Sequence, residues 1–183
     1  MARCYSAGMA KRHPVLPPRR LLLSDARNDA VLARAIARLP HGAGFVFRHY
    51  HLPLRERDAR FRALARLCRA RGVVVLASRP QRGWRIDGVY GGADDGLGTG
   101  LRILTAHSLR EIREVSRTRA DAVLLSPVFP TRSHPGGTVL GPVRFLLLAR
   151  RSCVPVLALG GMTAMRAARL PVHGWAAIDG LSA

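Results

Sequence analysis

The residues best suited to chemistry lie in the last third of the chain, where two short apolar runs each end in small or hydroxylated residues. Asp121–Leu125 leads into Ser126–Pro130, SPVFP, and then Thr131, Arg132, Ser133, His134, Pro135 and Gly136. Val154–Leu159 leads into Gly160, Gly161 and Met162. The hydroxyls of Thr131 and Ser133 and the bare backbone at Gly160–Gly161 suit an anionic group, phosphate above all. Loops of this kind at the carboxyl ends of parallel strands are where such sheets hold ligands. Arg48, at the end of the run Gly44–Phe47, is a candidate ligand contact for the same positional reason. The glycine-rich stretch Gly91–Gly100 has no Walker lysine and no Rossmann spacing into a helix.

Strand and helix signals alternate along the whole chain. Strand candidates are Arg20–Ser24, Gly44–Phe47, Val73–Leu76, Ile86–Tyr90, Leu101–Thr105, Asp121–Leu125, Val154–Leu159 and Trp175–Ile178. Helical spacing of apolar residues marks Asn28–Leu39 and Leu54–Arg71. Ser108 and Glu111 have capping-box spacing before a third helix, and Pro142–Arg150 reads as a fourth. Thr163 can cap a short helix through Leu170. Pro80–Trp84 has room for one abbreviated turn, and no residues remain for a helix after the eighth strand. Eight strands with short links predict an α/β fold, a compact (β/α)8 TIM barrel with abbreviated helices and a basic N-terminal arm. The arm is residues 1–18, rich in proline, basic and expected to be flexible; residues 19–183 form the single barrel domain. A barrel side left without a helix invites a homodimer or another partner to cover it.

The 183 residues make one domain by size, and 48% apolar content fits a folded core. No apolar run approaches the roughly 20 residues that span a bilayer, and the arm lacks the apolar core of a secretory signal. Cys4, Cys68 and Cys153 make no metal-ligand spacing, and their odd number argues for reduced thiols in a cytoplasmic protein. The formal net charge is +19. Only Lys11 among the 30 Lys and Arg residues is lysine, and the arginines are spread over the chain. With 5% aromatic residues there is little to stack on bases. Nonspecific binding to polyanions is expected, specific nucleic-acid recognition is not.

In order along the chain, several segments resemble the thiamine phosphate synthase and thiazole tautomerase superfamily. LLLSD at Leu21–Asp25 is similar to the family's first strand, and FVFRHY at Phe45–Tyr50 sits at its Gln-x-Arg-Glu-Lys strand end. LASR at Leu76–Arg79 stands for Ile-Asn-Asp-Arg, and DGVYGGADD at Asp87–Asp95 for Asp-Gly-Val-His-Leu-Gly-Gln-x-Asp. TAHS at Thr105–Ser108 resembles Ser-x-His-Ser/Thr; Ser126–Thr131 and Gly160–Met162 match closely.

The resemblance implies a transferase of thiamine biosynthesis that couples an aminopyrimidine pyrophosphate to a thiazole phosphate, with Mg²⁺ on the leaving pyrophosphate. Arg48 matches the pyrophosphate arginine, Asp95 the second magnesium aspartate, and Thr105 keeps the hydroxyl of a family serine. His134 replaces a lysine. Thr131, Ser133, Gly160, Gly161 and the backbone at Ile178 match the thiazole-phosphate end. Against the pattern, Val46 replaces glutamine, Tyr50 lysine, Ala77 asparagine, Ser78 the first magnesium aspartate and Asp179 a serine near the phosphate. Most departures fall on the pyrophosphate and metal half, so weak or absent coupling is expected.

Two other readings stand beside it. A thiazole tautomerase needs no metal-bound pyrophosphate, but its Gly-His-Val-Phe motif is missing, so His107 or His134 would act as the acid or base. The alternative for His107 is a strand-end histidine satisfied by backbone, for His134 a solvated loop residue, and for Asp95 one half of a loop-tip acid pair with Asp94. A noncatalytic phosphate-ligand protein fits the same residues, and a polyanion-binding protein is the third class.

Overall fold

A computed structural model describes residues 16–92, 100–133 and 136–182. Eight parallel strands close into a barrel in sequence order: β1 Arg20–Leu23, β2 Gly44–Phe47, β3 Val74–Ala77, β4 Gly88–Gly91, β5 Leu101–Ala106, β6 Ala122–Leu125, β7 Val156–Ala158 and β8 Gly174–Ala177. Pairing of Arg20 with Trp175 and Leu21 with Ala176 joins the last strand to the first. The helices are α1 Leu32–Arg38, α2 Leu54–Ala70, α3 Leu109–Val115, α4 Gly141–Ala149 and α5 Ala164–Ala167. The expected (β/α)8 barrel with short helices is what the chain forms.

Strand alternation builds two cores. Leu21, Leu23, Val46, Leu76, Ile103 and Leu124 belong to the cluster that fills the barrel. Leu22, Phe45, Phe47 and Val75, one residue out of phase on the same strands, pack outward on α1 and α2. A second outer cluster joins Val123, Leu125 and Trp175 to Phe145 of α4.

The β3–β4 link has turns and no α-helix. Trp84 occupies that side instead, its ring stacked on Phe61 of α2 at 3.8 Å between centroids. Its Nε1 donates to Asp58 at 2.7 Å. A wide aromatic thus does the covering that a helix does elsewhere.

Local caps explain where elements start. Ser108 Oγ accepts from the Glu111 backbone N–H at 3.3 Å while Glu111 reaches the His107 N–H at 3.0 Å, which stops α3 at its N-terminal end. The helix expected from Asn28 begins instead as a 3-10 turn, Ala26–Val31. Asn28 causes the difference. Its Nδ2 donates to the carbonyls of Leu23 at 3.0 Å and Ile178 at 3.2 Å, so one side chain stitches β1 to the end of β8 and tightens the turn around itself. The seventh strand is shorter than expected because Ser152 Oγ takes the Val154 N–H and Pro155 has none to give.

Residues 1–15 lie outside the described residues, but Pro17 and Pro18 are buried, and the Pro17 carbonyl faces His173 Nε2 at 2.7 Å. Cys68 is a free, buried thiol, and burial pushes its pKa up to about 12. Among the described residues no helix is long and apolar enough to cross a membrane.

Candidate functional site

A cavity of about 1180 Å³ opens at the carboxyl ends of the strands. The barrel brings to it nearly every described residue singled out from the sequence: Arg48, Thr105, His107, Thr131, Ser133 and the pair Gly160–Gly161. Ile178 and Asp179 line it too. Asp95 and His134 lie outside the described residues.

Arg48 leaves β2 and is pulled toward the end of β1. Its backbone N–H donates to Ser24 Oγ at 2.8 Å, its Nε to the Ser24 carbonyl at 3.0 Å and its Nη2 to Asp25 at 3.0 Å. Burial raises the Asp25 carboxyl, but hydrogen bonds and charge from Arg27 and Arg48 outweigh it and hold Asp25 below the usual carboxylate range. Below Arg48, the Tyr90 ring points into the barrel, and burial pushes its phenol up. Thr105 Oγ1 reaches the Gly91 carbonyl only at 3.5 Å. His107 Nδ1 faces the Ser126 carbonyl at 3.0 Å and the Ser126 hydroxyl at 3.2 Å. A carbonyl only accepts, so Nδ1 carries a proton, and in the neutral ring the lone pair is on Nε2. That is the backbone-satisfied arrangement expected of a strand-end histidine.

Hydroxyl residues and a glycine pair line the same cavity. Ser133 donates its N–H to Thr131 Oγ1 at 3.4 Å, a local turn that gathers both hydroxyl residues. Gly160 and Gly161 have φ of 98° and 59°, a left-handed turn. A Cβ at Gly160 would sit 2.6 Å from Pro127 Cβ, and one at Gly161 would meet the Pro130 carbonyl oxygen. The turn after β7 is therefore pressed against the SPVFP segment, and only glycine lets the two loops meet. The Ile178 carbonyl is taken by Asn28 and by Ser182 Oγ, so it offers a ligand nothing on that atom.

Where the family pattern expects lysine and a metal aspartate, Tyr50 donates its hydroxyl to Ser78 Oγ at 2.8 Å. Val46 and Ala77 are fully buried and apolar. Among the described residues no group of three His, Cys, Asp or Glu could hold a metal. Ser78 thus presents an engaged, uncharged hydroxyl where the family pattern has a magnesium carboxylate, and Asp95, its other carboxylate, lies outside the described residues.

Two residues of the cavity lining and one outside it escaped the sequence reading. Arg27 joins the cavity by donating to Ser133 Oγ at 2.7 Å, a contact between positions no local pattern links. Arg166 lies over the Phe129 ring at 4.6 Å and donates to the Gly161 carbonyl. Arg57, outside the cavity lining, is 6% exposed and ties the carbonyls of Ser78 at 2.6 Å and Arg79 at 2.9 Å. Its signal was present: an arginine four residues before Phe61 on the apolar face of α2.

The thiamine monophosphate synthase family model matches residues 21–183. A thiamine-phosphate synthase of Azoarcus sp. (strain BH72) is 31% identical over 160 residues, covering 78% of this chain and 77% of that protein. A thiamine-phosphate synthase of Geobacillus thermodenitrificans (strain NG80-2) is 30% identical over 122 residues, 60% of this chain but only 55% of the relative's length. In three dimensions the chain is similar to a thiamine phosphate pyrophosphorylase from Pyrococcus furiosus, with a TM-score of 0.73 at 20% identity over 92% of this chain and 89% of that one.

Proposed function

The chain belongs to the thiamine monophosphate synthase family, and from that premise we propose that it is a synthase-like transferase of thiamine biosynthesis, cytoplasmic and acting on an aminopyrimidine pyrophosphate and a thiazole phosphate. The reaction breaks the bond between the pyrimidine methylene and its pyrophosphate oxygen. The thiazole nitrogen then gives its lone pair to the resulting carbocation, forming thiamine phosphate and free pyrophosphate with no change of oxidation state.

The observation that carries this reading is one cavity lined both by Arg48 and by Thr131, Ser133 and the Gly160–Gly161 turn. Arg48 would neutralise the departing pyrophosphate, and the hydroxyl and glycine side would hold the thiazole phosphate. Thr105 and His107 line the same cavity, and in the neutral His107 ring the lone pair is on Nε2. Val143 and Leu147, exposed one turn apart on α4, suit a homodimer contact, which sedimentation would read.

The neutral Tyr50–Ser78 pair favours a second reading, in which the phosphate end works and coupling does not. One titration series separates them: thiazole phosphate, its carboxylate and the pyrimidine pyrophosphate, each with and without Mg²⁺. Binding of the thiazole compounds alone selects the second reading; binding of both partners with thiamine phosphate formed selects the first. Gly161→Asp should abolish thiazole phosphate binding by adding bulk against Pro130 and a negative charge. Unchanged affinity in the folded variant would remove the phosphate from this turn.

A further inference from the structure

The inference rests on the functional reading above and concerns the phosphate end of its site. Arg27 donates Nε to Asp25 Oδ1 at 2.9 Å and Nη2 to Ser133 Oγ at 2.7 Å. Two nitrogens of a planar guanidinium are fixed in this way, so the direction of the third is fixed as well. Nη1 points toward Asp179 Oδ2 at 3.8 Å, within ion-pair range but beyond a hydrogen bond. The two side chains are 35% and 46% exposed, and both residues line the cavity. Asp25, the closer carboxylate, is shared with Arg48. Arg27 and Arg48 are therefore balanced by Asp25 and Asp179, and the loosest member of the four is Asp179.

We propose that Arg27 is a specificity-determining residue for a phosphate monoester, and that Asp179 is its internal competitor, displaced from Nη1 when the phosphate binds. An exposed ion pair of this length contributes little and is screened by solvent. A phosphate monoester brings up to two charges and three acceptor oxygens to the same donor, and its charge-assisted bonds are the stronger ones. A neutral alcohol does not take Nη1, so it neither displaces Asp179 nor gains from Arg27. The phosphate ester gains the Arg27 contact less the cost of displacing Asp179. The carboxylate that looks ill placed beside a phosphate acts as a placeholder for it.

Calorimetric titration of hydroxyethylthiazole phosphate and of its dephosphorylated alcohol tests this on the full chain. Asp179→Asn, at an exposed position, should tighten the phosphate ester about fivefold to tenfold and leave the alcohol unchanged. Arg27→Gln should weaken the ester by about tenfold or more, again sparing the alcohol, and Asp179→Asn should have no effect in that background. An Asp179→Asn variant that binds the ester no better than wild type overturns the inference alone. So does an Arg27→Gln variant that weakens ester and alcohol alike, because Arg27 would then be a loop tie. Wild-type protein that binds neither compound overturns the functional reading and this inference with it.

Discussion

Tyr50 and Ser78 concentrate the question of catalysis in one hydrogen bond. Ser78 is almost fully buried, and its hydroxyl accepts from Tyr50, whose ring also lies under the Arg79 guanidinium at 5.4 Å. Placing a carboxylate there without a cation buries an unmatched charge. Ser78→Asp alone should therefore destabilise the chain by about 1–3 kcal/mol in urea titrations. Adding Tyr50→Lys supplies the opposite charge, so the double variant should recover much of that loss. It should also form thiamine phosphate faster than wild type in Mg²⁺, since the leaving group then meets one more cation. A double variant no faster than wild type would mean that the Tyr50–Ser78 pair does not limit coupling. His107 illustrates how far residue type carries: its position near the site follows from the strand, but the bond to the Ser126 carbonyl depends on the neighbouring strand and decides which nitrogen holds the proton.

Among the elements, β2, β3 and α2 are tied together by Arg57. Its Nη2 reaches the Ser78 carbonyl and, at 3.4 Å, that of Arg48, while its guanidinium lies over Trp84 at 4.9 Å. Arg57→Met would keep the stem's packing but orphan buried carbonyls, and should cost about 3 kcal/mol in thermal or urea unfolding. Arg57→Lys should recover only part, because an ammonium lacks the planar fork that spans several carbonyls. The strands themselves were legible because each is a short apolar run bounded by breakers. The capping box at Ser108 was legible because its partners are three residues apart. The 3-10 turn at Ala26–Val31 was not, since Asn28 forms it by bonding Ile178, far away in the chain. The site divides in the same way. Gly160–Gly161 and Thr131–Ser133 announce themselves by composition, whereas Arg27 and Arg166 are two arginines among many until the fold aims them.

For the molecule as a whole, His49 links stability to pH. It is buried between Ser24 Oγ at 2.8 Å from Nδ1 and Asp29 at 2.7 Å from Nε2, and stacked on Phe47. Burial pushes its proton affinity down, Asp29 partly offsets this, and His51 and Arg60 push it down further, for a net lowering below 6.5. The unfolded chain then binds the proton more readily, so stability should fall as pH drops below about 6.5, by at most about 1.4 kcal/mol per pH unit for this one group. Asp25 and Asp29, both lowered from 3.8, add a second loss under that value. Thermal midpoints from pH 8 to 5 should show the first decline, and His49→Gln should flatten it; an unchanged slope would assign the decline to other groups. The closure of β1 on β8 has a consequence for how the chain is made. Arg20 finds Trp175 only after nearly the whole barrel has been synthesised. At roughly 5–20 residues per second, roughly eight to thirty seconds separate the two on the ribosome. Throughout that interval Leu21–Leu23 have one unpaired edge. The newborn protein is an open, sticky ribbon that becomes a barrel in its last moments of synthesis, so its yield in a cell depends on whatever shields that ribbon while it waits.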